Sequence, residues 1–165
     1  MFVGRYAVKL DSKNRVTVPQ TLRESPEGGG ALWTTFYLTL GLDGCISVYT
    51  PEGWTVLMNA LGANKPLHTH EMRIMQRLIA SSTEMRSCDG QGRLLLSDDL
   101  RAQAGIQRDV VWVGSVDRAE IWDPIRWEEY RKKNISQLGA KLDVIANAGL
   151  ALSEAPPASS KGPGA

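Results

Sequence analysis

Two aspartate and arginine pairs stand out: Asp11 with Arg15 in DSKNR, and Asp89 with Arg93 in DGQGR, each separated by three turn-forming residues. An arginine presented on a short turn offers a planar fork of donors. That fork fits two acceptors at once, whether phosphate oxygens or the O6 and N7 edge of guanine. Lys13, at the tip of the first turn, is a compact charge suited to phosphate. The aspartates would repel phosphate, which leaves them structural work: capping turn amides or holding the arginine in an ion pair. Asn14 joins them as a turn-bracing residue, because asparagine enters left-handed backbone more readily than other non-glycine residues. On these residues alone, bracing a hairpin is the simpler reading, and anion recognition by the arginines is the alternative.

The segments carrying the pairs repeat. KLDSKNRVTVPQTLR, residues 9–23, superposes without a gap on SCDGQGRLLLSDDLR, residues 87–101, at an offset of 78. SVYTPEGW, residues 47–54, superposes on EIWDPIRW, residues 120–127, at an offset of 73. The difference of five residues is assigned to a loop in the first copy at Pro26-Glu27-Gly28-Gly29-Gly30, since loops absorb insertions. Two blocks in the same order make an internal duplication the primary fact of the chain.

Each copy reads as strand, turn, strand, a polar or helical connection, and two more strands. Tyr6, Val8 and Leu10 alternate with Ala7 and Lys9, and Val16 and Val18 flank Thr17, which is the period of a half-buried strand. Ser12-Lys13-Asn14 and Gly90-Gln91-Gly92 form hairpin-like hinges. Residues 38–42 and 46–49 form a second strand pair across Asp43-Gly44, matched by residues 110–113 and 119–122. Thr50-Pro51 and Asp123-Pro124 each place an N-cap before a proline at the first helical position. The first helix runs to about Leu61 with Trp54, Leu57, Met58 and Leu61 on one face. A second, from about Thr69 to Ser81, places Met72, Met75, Leu78 and Ile79 at core spacing. The last extends from Ile125 past Tyr130, with a weaker pattern through Leu138, Leu142 and Ile145. The expected division is a first module at 5–52, connecting helices at 53–80, a second module at 81–124, a C-terminal helical segment at 125–152 and a disordered tail at 153–165. A module of under 50 residues has too little interior to stand alone comfortably. The copies should therefore complete one another's core as a pseudo-twofold pair, leaving strand edges and apolar helices for further chains.

Composition adds boundaries. The 165 residues are 42% hydrophobic, normal for a globular protein, and their net charge of +1 neither favours nor excludes a polyanionic partner. No stretch approaches the roughly 20 apolar residues of a membrane span, and the start lacks signal-peptide order, so a cytoplasmic protein is expected. Cys45 and Cys88 lack metal or redox spacing and read as buried structural thiols. His68 and His70 have no obvious partners for a metal, and Gly28-Gly29-Gly30 lacks the lysine that a phosphate-binding loop needs. Arg131-Lys132-Lys133 after Glu128-Glu129 is a charge-paired helix face. No catalytic set assembles, so an enzyme is not expected, and neither is a cofactor or a metal.

The duplicated DSKNRVTVP element, the Met-Phe-x-Gly start, QRLIASSTEM before the second copy, and IWDP at Trp122 together resemble the MraZ family over about residues 1–145. That resemblance implies two AbrB-like swapped-hairpin β-barrel repeats related by a pseudo-twofold, in a mainly β chain with connecting helices. It further implies a transcriptional regulator that binds direct repeats in double-stranded promoter DNA of the cell-division and cell-wall operon. Such a protein acts as a ring-shaped homo-oligomer, commonly an octamer, in a cytoplasmic, nucleoid-associated setting. Asn14 stands where that family usually has glycine, and Ser97 stands where the first copy has Pro19. For that role, side-chain chemistry and charge distribution point to Arg15, Lys13, Lys9, Arg5 and Arg93 as the expected DNA-binding residues.

The copies differ electrically. Between residues 5 and 23 there are five bases (Arg5, Lys9, Lys13, Arg15, Arg23) against Asp11, a net of +4. Between residues 83 and 101, Arg86, Arg93 and Arg101 face Glu84, Asp89, Asp98 and Asp99, a net of −1. Because phosphate neutralisation supplies much of DNA affinity, the first copy is expected to make the dominant contacts.

Overall fold

The structure, a computed structural model, describes residues 1–24, 32–62 and 69–147. The inserted loop at 26–30, His68 and the C-terminal tail lie outside the described residues. The first repeat contains β1 (Arg5–Lys9), β2 (Arg15–Thr17), a 3-10 turn (Gln20–Leu22), β3 (Thr35–Leu40) and β4 (Ile46–Tyr49). Helices α1 (Pro51–Ala60) and α2 (His70–Ser81) follow. The second repeat contains β5 (Glu84–Ser87), β6 (Arg93–Leu95), α3 (Asp98–Ala104), β7 (Asp109–Gly114) and β8 (Ala119–Trp122), and leads into α4 (Pro124–Ile135) and α5 (Leu138–Asn147). Among the described residues the chain is thus of the expected α+β class, eight strands forming the sheets and five helices connecting and following them.

One difference between the copies has a direct local cause. Ser97 caps α3, its hydroxyl accepting from Leu100 N–H at 3.3 Å, and Asp98 and Asp99 occupy the first turn, where the helix dipole favours them. The equivalent Pro19 has no side-chain acceptor to offer, and only a 3-10 turn forms.

The strands lie antiparallel in the order β1-β7-β8-β4-β3-β5, with β2 and β6 in a separate two-stranded ribbon. Exchanging each strand for its repeat equivalent reverses the order and leaves it unchanged, so the topology is pseudo-twofold. At the centre Ser47 pairs with Glu120, themselves equivalent residues. Among the described residues, the hairpins within a repeat are β3 with β4 and β7 with β8. The first strands cross over: β1 pairs with β7, β5 with β3, and β2 with β6.

Two expectations change here. The arms of the strand-turn-strand element do not pair with each other, because each joins a different sheet and a different partner. Among the described residues the ladders also do not close into a barrel, since β1 and β5 remain the edges of an open sheet.

This interleaving produces a shared interior. Val16 and Leu94, Val18 and Leu96, and Leu22 and Leu100 are equivalent pairs, all buried in one cluster with Phe36, Leu38, Ile46, Trp112 and Ile121. Neither repeat supplies that cluster alone, which is the expected remedy for modules too small to bury enough surface.

Helix α1 starts as its cap predicts, Thr50 Oγ1 accepting from Gly53 N–H at 3.1 Å with Pro51 at the first position. Trp54 stacks on Tyr37 with ring centroids 5.1 Å apart. The apolar face of α2 is not the core element that its spacing suggests. No residue of α2 is buried, and Ile74, Met75 and Leu78 are exposed. Periodicity marks a face as apolar without saying what covers it. Asp123 Oδ1 accepts from Ile125 and Arg126 N–H at 3.0 Å to start α4, and Trp127 packs edge-on against Trp122. The single last helix expected is instead two helices, α4 ending at Ile135 and α5 beginning at Leu138. The described residues up to Glu128 form one compact unit and those from Glu129 to Asn147 another. Cys45 is buried, and burial pushes its thiol up to about 12, whereas Cys88 is only half-buried.

Leu94 is fully buried at the middle of the ribbon. Leu94→Ala is expected to cost about 2–5 kcal/mol. The loss should read as a lower urea midpoint with an unchanged slope.

Candidate functional site

The ribbon of β2 and β6 brings the two charged turns together. Arg15 pairs with Leu95 and Arg93 with Thr17 across the Val16–Leu94 centre. Alternation sends Val16 and Leu94 into the core and turns both arginines outward on the opposite face.

Each turn is built around its aspartate. Asp11 Oδ1 accepts from Lys13 N–H at 2.9 Å and Arg15 N–H at 3.0 Å, while Oδ2 takes Arg15 Nε at 2.8 Å. Asp89 does the same, Oδ1 accepting from Gln91 and Arg93 N–H at 3.0 Å and Oδ2 from Arg93 Nε at 2.9 Å. Asn14 and Gly92, equivalent residues, hold the left-handed corner at φ 59 and 73. Their N–H groups donate back to the Asp11 and Asp89 carbonyls at 3.0 and 2.9 Å.

The turns are also joined to each other. Arg15 Nη1 lies 3.2 Å from Asp89 Oδ2, and Arg93 Nη1 lies 3.6 Å from Asp11 Oδ2. Two carboxylates and two guanidiniums therefore form one four-membered network across the pseudo-twofold. Charge-assisted bonds of this type are shorter and stronger than neutral ones. The Arg15 backbone N–H, its guanidinium and Lys13 N–H together hold the Asp11 carboxyl down at about 2. The Arg93 side chain, its backbone N–H and Gln91 N–H do the same for Asp89, also to about 2. A guanidinium has five N–H groups. Arg15 directs three of its nitrogens, Nε, Nη1 and Nη2, at these aspartates. One N–H on each Nη is left over, so the arginine is oriented without being exhausted as a donor.

The other candidates lie on the first turn and on the strand that leads into it, Arg5 at the far end of that strand opposite Val113. Lys13 is exposed at the tip of the first turn. Arg5 and Lys9 share the exposed face of β1, with Lys9 Nζ 3.6 Å from Asp109 Oδ1. In the second repeat Gln91 and Ser87 replace Lys13 and Lys9. Reading residue by residue missed Arg23. It belongs to the first repeat, yet its guanidinium lies over Gly92 of the second turn. No signal within one copy reveals this, because the contact exists only once the copies interleave. Among the described residues no group of three or more His, Cys, Asp or Glu side chains could hold a metal ion. Nor is any described helix long and apolar enough to cross a membrane.

Fold and site define a two-repeat β protein of pseudo-twofold topology that sets a pair of acid-braced arginine turns side by side. Both halves match the family described as "MraZ protein, putative antitoxin-like", at residues 1–78 and 79–142. A protein of Clostridium botulinum (strain Alaska E43 / Type E3) named Transcriptional regulator MraZ is 40% identical over 135 residues, covering 82% of this chain and 90% of the relative. Proteins of the same name from Clostridium tetani (strain Massachusetts / E88) and Rhodococcus opacus (strain B4) are each 38% identical. The first match covers 88% of this chain and 99% of that relative, the second 81% and 89%. The chain belongs to the MraZ family, whose relatives are named as transcriptional regulators and not as enzymes.

The depressed carboxyls link the site to acid stability. A carboxyl whose pKa falls from 3.8 to about 2 on folding stabilises the protein above 3.8 and loses that contribution as pH drops toward 2. The thermal midpoint should therefore fall between pH 4 and pH 2 partly through these groups. In an Asp11→Asn, Asp89→Asn double variant the midpoint should start lower at pH 6 and fall less steeply over that window. An unchanged profile would remove the network from the stability of the fold.

Proposed function

We propose that this protein is a sequence-specific DNA-binding transcriptional regulator whose contact surface is the paired turn network with Lys13, Lys9 and Arg5 around it. The observation that carries this reading is the braced pair of arginines, Arg15 and Arg93, oriented outward on one ribbon with spare donors. Pre-oriented forks lose less side-chain freedom on meeting two acceptors than free ones do. The network itself is neutral, so long-range attraction to phosphate falls to the bases around it, which are concentrated on the first repeat. The relatives' name supports the regulatory role.

The finer proposal is that the target is a set of direct repeats in the promoter of the cell-division and cell-wall operon. They are bound by a ring-shaped homo-oligomer, commonly an octamer, in the cytoplasm at the nucleoid. Self-association is supported by Ile74, Met75 and Leu78 exposed on α2, and by edge strands β1 and β5 that each have a neighbour on one side only among the described residues. In a ring, several weak contacts to neighbouring DNA repeats add through effective concentration.

Titration with duplex DNA from upstream of its own coding region, against a scrambled duplex at two salt concentrations, tests the reading. Arg15→Ala should weaken binding by about tenfold or more, which is ~1.4 kcal/mol, and Arg93→Ala by less. The reverse ranking would move the dominant contact to the second repeat. Equal binding to both duplexes, untouched by either change, would exclude the regulator reading. For assembly, Leu78→Glu should lower the mass measured by light scattering. An unaltered mass would show that α2 does not hold the oligomer together.

A further inference from the structure

Arg23 closes the 3-10 turn that follows Pro19. Its position follows from the ribbon. Val18 N–H donates to the Gly92 carbonyl at 2.9 Å, so the chain after β2 runs alongside the second turn and then folds back across it. The Arg23 guanidinium comes to rest over Gly92 so closely that a Cβ there would collide with Nη1 and lie 3.2 Å from Cζ. Arg23 Nε donates to the Trp33 carbonyl at 3.2 Å, which fixes the plane, and among the described residues no carboxylate pairs with it.

The equivalent residue is placed otherwise. Arg101 is ion-paired to Asp98 at 2.5 Å, and its Nε is buried without an acceptor. The corner equivalent to Gly92 is Asn14, which carries a side chain. The second turn, which has Gln91 where the first has Lys13, thus borrows a cation from the other repeat, and its glycine leaves room for it.

We propose that Arg23 is a phosphate-binding residue of the second turn. The inference rests on the DNA-binding reading above and extends it to a residue that the repeat alignment credits to the wrong half. With Arg23 alone counted at the turn it lies over, the net charges of the two segments become +3 and 0 in place of +4 and −1. The second repeat becomes a participant in DNA binding through a side chain it does not encode.

Two kinds of variant separate charge from architecture. Arg23→Gln removes the charge, and Arg23→Lys keeps it. Gly92→Asn keeps every charge and copies the residue that the first turn already accommodates at φ 59, but its side chain displaces the guanidinium. The slope of log K against log salt for upstream duplex DNA should fall by about 0.9 for each second turn engaged in Arg23→Gln. It should stay at the wild-type value in Arg23→Lys. Gly92→Asn should reproduce the Arg23→Gln slope with a cooperative thermal transition retained, and the double variant should lose nothing further.

A wild-type slope in Arg23→Gln or in folded Gly92→Asn, with wild-type protein binding DNA normally, overturns this inference and leaves the regulator reading standing. Wild-type protein whose association with duplex DNA does not depend on salt overturns both.

Discussion

The pairing of β2 with β6 is the constraint on which the rest of the molecule hangs. Each strand is three residues long, too short to hold a sheet of its own, and each finds its one partner in the other repeat. The pairing buries Val16 and Leu94 completely, at a gain of about 1.5–3 kcal/mol for each side chain. The alternation that sends these two inward sends Arg15 and Arg93 outward. One short ladder therefore seals the shared core on one face and composes the charged site on the other. Neither can be altered without the other, because shifting the register by one residue would exchange the apolar and charged faces.

The aspartates explain how so small a ribbon keeps its arginines in order. Arginine carries about 2 kcal/mol of side-chain rotamer entropy, and an unbraced turn would let the guanidinium sample many directions. Each carboxylate instead ties two turn amides and one guanidinium of its own repeat, then reaches the arginine of the other. The acid groups work against long-range attraction to phosphate while fixing the donors that would meet it. On the proposed function, this divides the work: the network sets geometry, and Lys13, Lys9, Arg5 and Arg23 provide net charge.

Much of this was legible in the sequence. The two repeat offsets locate equivalent strands, and Thr50-Pro51 and Asp123-Pro124 mark the starts of α1 and α4 through capping chemistry that is local by nature. Pairing was harder to read. Alternation of Tyr6, Val8 and Leu10 is satisfied equally whether β1 joins its own repeat or β7, so the crossover is invisible until both copies compete for partners. The exposure of the apolar face of α2 has a related reason. Spacing reports which residues avoid water, while burial depends on a covering surface that the described residues do not provide at Ile74, Met75 and Leu78. The corner at Asn14 was the easier case, because Gly92 in the other copy states the backbone that position must adopt.

Duplication with exchange also changes what a repeat means. Backbone topology keeps the pseudo-twofold through every strand pair, yet side chains have diverged at positions where the copies touch. Pro19 and Ser97 decide between a 3-10 turn and a capped helix. That choice determines what the following arginine meets. On the capped helix Asp98 is near enough to hold Arg101, whereas after the uncapped turn Gln20 stands in its place and Arg23 is left to lean on Gly92. Glycine at one corner and asparagine at the other are then not interchangeable choices for a left-handed residue. The corner with Arg23 over it has no room for a Cβ while the guanidinium stays in place, and the other corner carries an asparagine side chain.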